Sequence, residues 1–352
     1  MSADFSSSLV IGPAAEATVA ASPVTRSRIA WLDSAKGLGI ILVVAFHAIG
    51  GSFQAGLLPR GGFFEAAYYV VYTFHMPFFF LLSGLLLKER LEKRQDGPKA
   101  LIVSSISRLL YPCFLWSYIQ LAVIYSLGKL VNTPIDIGWI DLISPLWAPP
   151  SQFWFLYVLF VLQAIAAVTL SFANGIVLAS IALLLRITVP FLLLSGTILS
   201  IAQFAPFYVA GVLAGPKMKN WPSLIKHPAL LALGLLAATI FAALLSDRTG
   251  AGYWSAYALP ASIMGTIALL ALAAVPRIST NVTLNLLGQR SLTIFLTHVL
   301  FVAGMRIFLM KLLHIDAAWI VLPLAVLAGL AGPVLLYIVA VRGRLQGALG
   351  LS

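Results

Sequence analysis

Few residues in this chain have the means to do chemistry, and their types narrow what that chemistry is. Of five histidines, His47, His75 and His298 fall inside long apolar stretches. There an ionisable side chain costs free energy unless it is paired or used. All 11 acidic residues fall outside the cores of those stretches, which counts against a proton- or sodium-coupled transporter built on buried carboxylates. A single cysteine, Cys113, makes no internal disulfide, multi-cysteine zinc site or iron–sulfur cluster; it is read as a packing residue, and no metal site is expected. What remains is desolvated imidazole. Burial disfavours its charged form, and a neutral imidazole serves as a base or nucleophile near neutral pH.

Spacing adds a cation. Lys36 precedes His47 by 11 residues. In a helix that is about three turns plus roughly 20°, so both project from one side, about 16 Å apart along the axis. Asp33 lies one turn before Lys36 and is placed to pair with it; the alternative is that both only anchor the helix at the membrane interface. Gly37 and Gly39 thin this stripe, so a backbone or a ligand can approach. A second stripe carries Tyr68, Tyr72, His75 and Phe79 at helical spacing. Pro77 cannot donate a backbone hydrogen bond and is expected to open that helix around Thr73, an irregularity tolerated at membrane depth where it lines a cavity. Ser83 and Gly84 should bring the helix close to a neighbour. A lone histidine in a helix usually only packs or hydrogen-bonds; three at similar depth point to a site.

The elements that must hold these residues are membrane helices. Of 352 residues, 61% are hydrophobic and 9% charged, with a mean hydropathy of +1.01. A soluble domain is about 45–50% apolar and about 25% charged, so a soluble core and wholesale disorder are both excluded. The long unbroken apolar runs also exclude a β-barrel. The expected fold class is all-α, a polytopic integral membrane protein of about ten transmembrane helices. The spans are placed near residues 36–55, 67–87, 101–127, 153–171, 176–194, 198–215, 228–246, 255–275, 290–310 and 318–340. Pro112 should kink the third. Most of the 22 Lys and Arg fall on one side when the N-terminus is placed in the cytoplasm, which orients both termini inward. The net charge of +11 is thereby read as basic inner loops, with no nucleic acid as partner. The domain plan is a disordered tail over 1–27, a membrane domain over 28–344 and a short C-terminal tail over 345–352. Residues 88–99 read as a solvated inner loop, and the loop 128–152, with Trp139 and Trp147, as one lying along the outer surface.

Four motifs carry a resemblance. Arg28, Asp33, Ser34, Lys36 and Gly37, followed by the apolar run from Leu42 to His47, resemble the first-helix signature of the membrane acyltransferase 3 family, in which a basic residue and a histidine are separated by ten residues. Many members have Arg where this chain has Lys36. The run from Phe74 and His75 through Pro77 to Ser83 and Gly84 is similar to the second-helix motif. Phe153, Trp154, Phe155 and Leu156 resemble the aromatic start of the fourth helix, and Leu287, Gly288, Gln289, Arg290, Ser291 and Leu292 with His298 resemble the late motif. The form of the first motif looks most like the fucose 4-O-acetylase-like subgroup.

The resemblance implies an O-acyltransferase, with an acetyl group as the usual cargo. Acyl-CoA is the cytoplasmic co-substrate, and no cofactor is held permanently. The acceptor is a hydroxyl of a cell-surface carbohydrate or its lipid-linked precursor, and the setting is a bacterial inner membrane amid membrane lipid. On this reading Lys36, with helpers such as Arg290 or Arg108, holds the CoA phosphates, and His47 is the general base. Direct transfer and a covalent acyl-histidine both remain open. His75 either orients His47 or contacts the acceptor, and His298 has the same two options. Asp33, Ser83 and Trp154 complete the expected substrate-binding set. Trp139, Trp147, Tyr253 and Trp254 join Trp154 at the outer ends, where they either stack on a sugar or form an ordinary aromatic belt. The competing reading is a transporter or flippase for a glycan or lipid intermediate; it would work without acyl-CoA and would survive loss of His47.

Overall fold

The computed structural model of the protein describes residues 30–92, 97–130, 138–170, 174–192, 194–218 and 220–351. The expected tail 1–27 and Arg28 lie outside these residues. Among them the chain is helical, with no strand. In order the helices are α1 (Ala30–Gln54), α2 (Phe63–Leu85), α3 (Leu87–Glu92), α4 (Gly97–Ser105), α5 (Tyr111–Leu127), α6 (Trp139–Ile143), α7 (Trp154–Thr169) and α8 (Gly175–Thr188). They continue with α9 (Gly196–Met218), α10 (Pro228–Asp247), α11 (Leu259–Ala273), α12 (Pro276–Ser279), α13 (Val282–Gln289), α14 (Ser291–Ile307) and α15 (Ala318–Arg342). Eight helical stretches are long and apolar enough to cross a membrane; α8 and α11 are apolar but shorter. Together they coincide with the ten expected segments, and the fold is that of an all-α polytopic membrane protein.

Burial separates the centre from the rim. In α2 67% of the most apolar window is buried, against 22% in α10 and α15. The rim helices turn Leu230, Leu233, Phe241, Leu335 and Val339 outward, as lipid-facing helices do. α1 packs against α2, α11, α13, α14 and α15, and α2 packs against α9 and α11. Small residues allow this. A side chain on Gly84 would strike the Tyr208 carbonyl of α9, and side chains on Gly211 and Gly215 would strike the carbonyls of Leu81 and Leu85. The expected close approach at Ser83 and Gly84 is therefore the α2–α9 contact. At Gly37 the approaching group is the Leu284 carbonyl of α13, and at Gly288 it is the Asp33 carbonyl of α1. Ser34 locks the same joint, with its Oγ 2.8 Å from Asn285 Oδ1 and 2.9 Å from the Ile278 carbonyl oxygen.

The prolines act differently from one another. Upstream of Pro112 the chain winds into a π turn over Ile106–Leu110 before α5 begins, a local answer to the missing N–H. Pro77 does not open α2, contrary to expectation: the helix runs unbroken from Phe63 to Leu85. The carbonyl that Pro77 leaves without its helical donor is that of Thr73, and the Ser262 hydroxyl of α11 donates to it at 2.6 Å. Beside it, Trp254 Nε1 donates to the Tyr72 carbonyl at 3.0 Å. Donors from other elements replace the lost bond, so the backbone stays helical.

Two expected boundaries shift, at α8 and α11, and the C-terminal tail packs back on the fold. α8 ends at Thr188, and Arg186 within it is buried, with Nη2 donating to the carbonyls of Trp254 and Ser255 at 3.0 Å each. α11 starts only at Leu259 because the turn before it carries Tyr253 and Trp254 into the protein. After α15 the chain folds back along α5, where Trp116 Nε1 donates to the Leu349 carbonyl at 2.9 Å and Leu351 is buried. Residues 131–137 of the expected surface loop lie outside the described residues; α6 beyond them buries no side chain, and Trp139 is 86% exposed.

Candidate active site

α1 carries the site's axis. Asp33 Oδ1 and Lys36 Nζ are 3.2 Å apart, one turn apart on the helix. Lys36 opens into a cavity of about 170 Å³ lined by α1, α2, α3, α7, α14 and the π turn. Its polar lining is Lys36, Ser83, Arg90, Arg108, Gln163 and Ser291; Phe79, Phe155 and Phe295 supply much of the apolar wall. Three cations thus converge with three neutral hydrogen-bonding side chains above an aromatic floor. This fits a ligand with an anionic head and a less polar arm.

Arg90 was not singled out in the sequence, where residues 88–99 read as a solvated loop. α3 continues directly from α2 and turns Arg90 back over the cavity. The available signal was its position seven residues after Ser83, two helical turns along the same face. Gln163 was missed as well; it hydrogen-bonds Ser105 across α4 and α7. Arg290 is not part of the cavity lining. Its guanidinium stacks on the Tyr337 ring of α15, 3.8 Å from the centroid, a cation–π contact that fixes the start of α14 against α15.

The three histidines share one local arrangement. Nδ1 of His47 lies 2.9 Å from the Val43 carbonyl, and Nδ1 of His75 lies 2.9 Å from the Val71 carbonyl. Nδ1 of His298 lies 3.0 Å and 2.9 Å from the carbonyls of Ile294 and Phe295. A carbonyl only accepts, so in each ring Nδ1 carries the proton and Nε2 holds the free lone pair. The rings of His47 and His298 meet edge-on at 4.8 Å between centroids. Nε2 of His298 is buried and, among the described residues, has no hydrogen-bond partner. Phe295, a cavity wall residue, lies 6.1 Å from His298, so one aromatic side chain separates the basic cavity from the histidine pair. His75 instead touches Tyr72, at 4.6 Å.

Beyond the histidines, away from Lys36, the side chains become aromatic. Tyr68 stacks on Tyr72 at 4.0 Å, Tyr72 meets Tyr253 at 5.0 Å, Tyr253 meets Trp254 at 5.2 Å, and Trp254 meets Trp154 at 5.3 Å. Trp154 also stacks on Phe204 at 5.4 Å. Burial pushes the Tyr253 hydroxyl up from its ordinary value, with Tyr68 adding to the shift, so the phenol stays protonated. These rings can present flat faces and hydroxyl groups to a sugar. The tyrosine row joins His75 at one end and Trp154 at the other. Asp33, Lys36 and Ser83 therefore group at one end of the site, His47 and His298 in the middle, and His75 and Trp154 along the aromatic row. Arg290 stands apart.

No curated protein and no solved structure matches the chain. The family model described as an acyltransferase domain matches residues 29–338, which takes in every helix of the site. The motifs, the helical membrane fold and this match agree: the chain belongs to the acyltransferase 3 family and is a multi-pass membrane acyltransferase.

Proposed function

We propose that the protein moves an acyl group, in the simplest case acetyl, from acyl-CoA to a hydroxyl of a carbohydrate acceptor. The observation that carries this reading is the cavity where Lys36, Arg90 and Arg108 converge, one aromatic residue away from the paired histidines. Phosphates of CoA would sit against the three cations. The arm would pass Phe79 and Phe295 and bring the thioester to His47. The acceptor hydroxyl would arrive along the row of Tyr68, Tyr72 and Trp254.

His47 Nε2 takes the hydroxyl proton as the oxygen attacks the thioester carbonyl. The new C–O bond forms, the C–S bond breaks, and the proton leaves on the CoA thiol. General-base help of this kind is worth about 10²–10⁴ in rate. Asp33 holds Lys36 in place, while His75 and Trp154 line the acceptor's route. With the Lys36 end facing the cytoplasm, both substrates are met on their own side of a bacterial inner membrane.

The test is equilibrium binding of acetyl-CoA to the purified protein in lipid nanodiscs. Saturable binding that weakens in Lys36→Met and with rising salt supports the reading. An affinity unchanged by Lys36→Met would remove the cavity as the donor site.

A further inference from the structure

Behind the aromatic row lies a cation that the transfer reaction above does not use. Arg186 of α8 is 6% exposed, and among the described residues it makes no ion pair. Its Nη2 donates to the carbonyls of Trp254 and Ser255, but its buried Nε has no hydrogen-bond partner among the described residues. Holding two carbonyls asks only for a neutral amide. Burying a full positive charge to do it is costly unless an anion offsets that charge. The same joint holds a second orphan: the Ser255 hydroxyl oxygen is buried and, among the described residues, also without a partner.

The position of this joint says what would fill it. The two carbonyls that Arg186 holds belong to the turn that supplies Tyr253 and Trp254 to the aromatic row. The Trp254 ring meets Tyr253 at 5.2 Å and Trp154 at 5.3 Å. Arg186 therefore stands at the acceptor end of the site, and it does not line the basic donor cavity. The turn is not closed over. Tyr253, Trp254 and Ser255 are each only partly buried, Gly252 is exposed, and a side chain added at Gly252 would meet nothing within 4 Å. A ligand that follows the row passes this turn. An oxyanion accepting from Arg186 Nε–H and from the Ser255 hydroxyl would satisfy both orphans and offset the buried charge.

We propose that Arg186 and Ser255 form an anion subsite for the acceptor, which takes a carboxylate or phosphate carried by the glycan beside the ring that stacks on Trp254. A uronic-acid residue and a sugar phosphate share this chemistry, and a guanidinium with a hydroxyl beside it binds the oxygens of either. The inference rests on the acyltransferase reading and narrows its acceptor class.

The test uses the full-length protein in nanodiscs with three probes: methyl glucuronide, glucose 1-phosphate and the neutral methyl glucoside. Saturating coenzyme A keeps the anionic probes out of the Lys36 cavity. The wild type is expected to bind one or both anionic probes about tenfold more tightly than the glucoside, and the stronger of the two identifies the source of the charge. Arg186→Gln, which keeps a neutral donor for the turn, should remove the preference, and Arg186→Lys should keep part of it. Ser255→Ala, which leaves the guanidinium and both carbonyls in place, should lower it severalfold; a purely structural Arg186 would leave that variant unchanged. Acetyl-CoA binding, measured on each variant, reports folding, and should Arg186→Gln lose it, Ser255→Ala decides. No preference in the wild type, or one that survives intact in the folded variants, would overturn the subsite. Absence of acetyl-CoA binding in the wild type would instead overturn the acyltransferase reading itself.

Discussion

The imidazole of His47 meets that of His298 edge-on, 4.8 Å between ring centroids, although 250 residues of chain separate them. Each ring spends Nδ1–H on its own helix, and Nε2 of the buried His298 has no hydrogen-bond partner among the described residues. A buried polar nitrogen left without a partner is costly, which points to use. His298→Ala is expected to lower kcat for acyl transfer by roughly 10², the low end of the general-base range. The KM for acetyl-CoA should stay near wild type, because His298 does not line the donor cavity. Steady-state kinetics at varied acetyl-CoA separates the two constants.

Lys36 should behave differently. Losing a charge-assisted hydrogen bond is worth about 1.5–3 kcal/mol, so Lys36→Met is expected to raise the acetyl-CoA Kd roughly ten- to a hundredfold. Lys36→Arg should bind at least as well as wild type. Binding titrations at low and high salt check both, since a phosphate contact weakens as ionic strength rises.

The bond from Ser262 to the Thr73 carbonyl gives a stability prediction. Ser262→Ala leaves that buried carbonyl without a donor, at a cost of about 1–3 kcal/mol. Pro77→Ala restores the N–H that would serve Thr73 within α2. The penalty of Ser262→Ala should therefore shrink in a Pro77→Ala background. A double-mutant cycle on thermal unfolding in detergent measures the coupling, and fully additive effects would contradict this account of Pro77.

Gly288 sits against the Asp33 carbonyl. Gly288→Ala must push α13 away from α1 and with it disturb the Asp33–Lys36 pair. Lower thermal stability together with weaker acetyl-CoA binding is expected. A distant glycine such as Gly234, which faces open space, should tolerate Ala without either effect.

Much of this arrangement was legible before any coordinates. Ten apolar segments were readable because apolar length is nearly sufficient to mark a membrane helix. The Asp33–Lys36 pair was readable because it is local, three residues apart on one helix. What could not be read were contacts between segments distant in sequence. His47 meeting His298, Ser262 serving Thr73, and Arg290 stacking on Tyr337 each depend on which helices become neighbours, and no single stretch encodes that. Pro77 shows the same limit: its local effect was correctly a missing donor, but the donor arrives from α11. Arg90 was missed because a charge beside a loop looks solvated until the next short helix turns it inward.

The central claim is that His47 performs acyl transfer. It is tested most directly by mass spectrometry of surface glycans from cells carrying wild-type protein or His47→Ala at matched abundance. An acetyl mass increment present with the wild type and absent with the variant is the expected result. An unchanged acylation profile would contradict it, and altered glycan export in its place would point to a carrier of glycans.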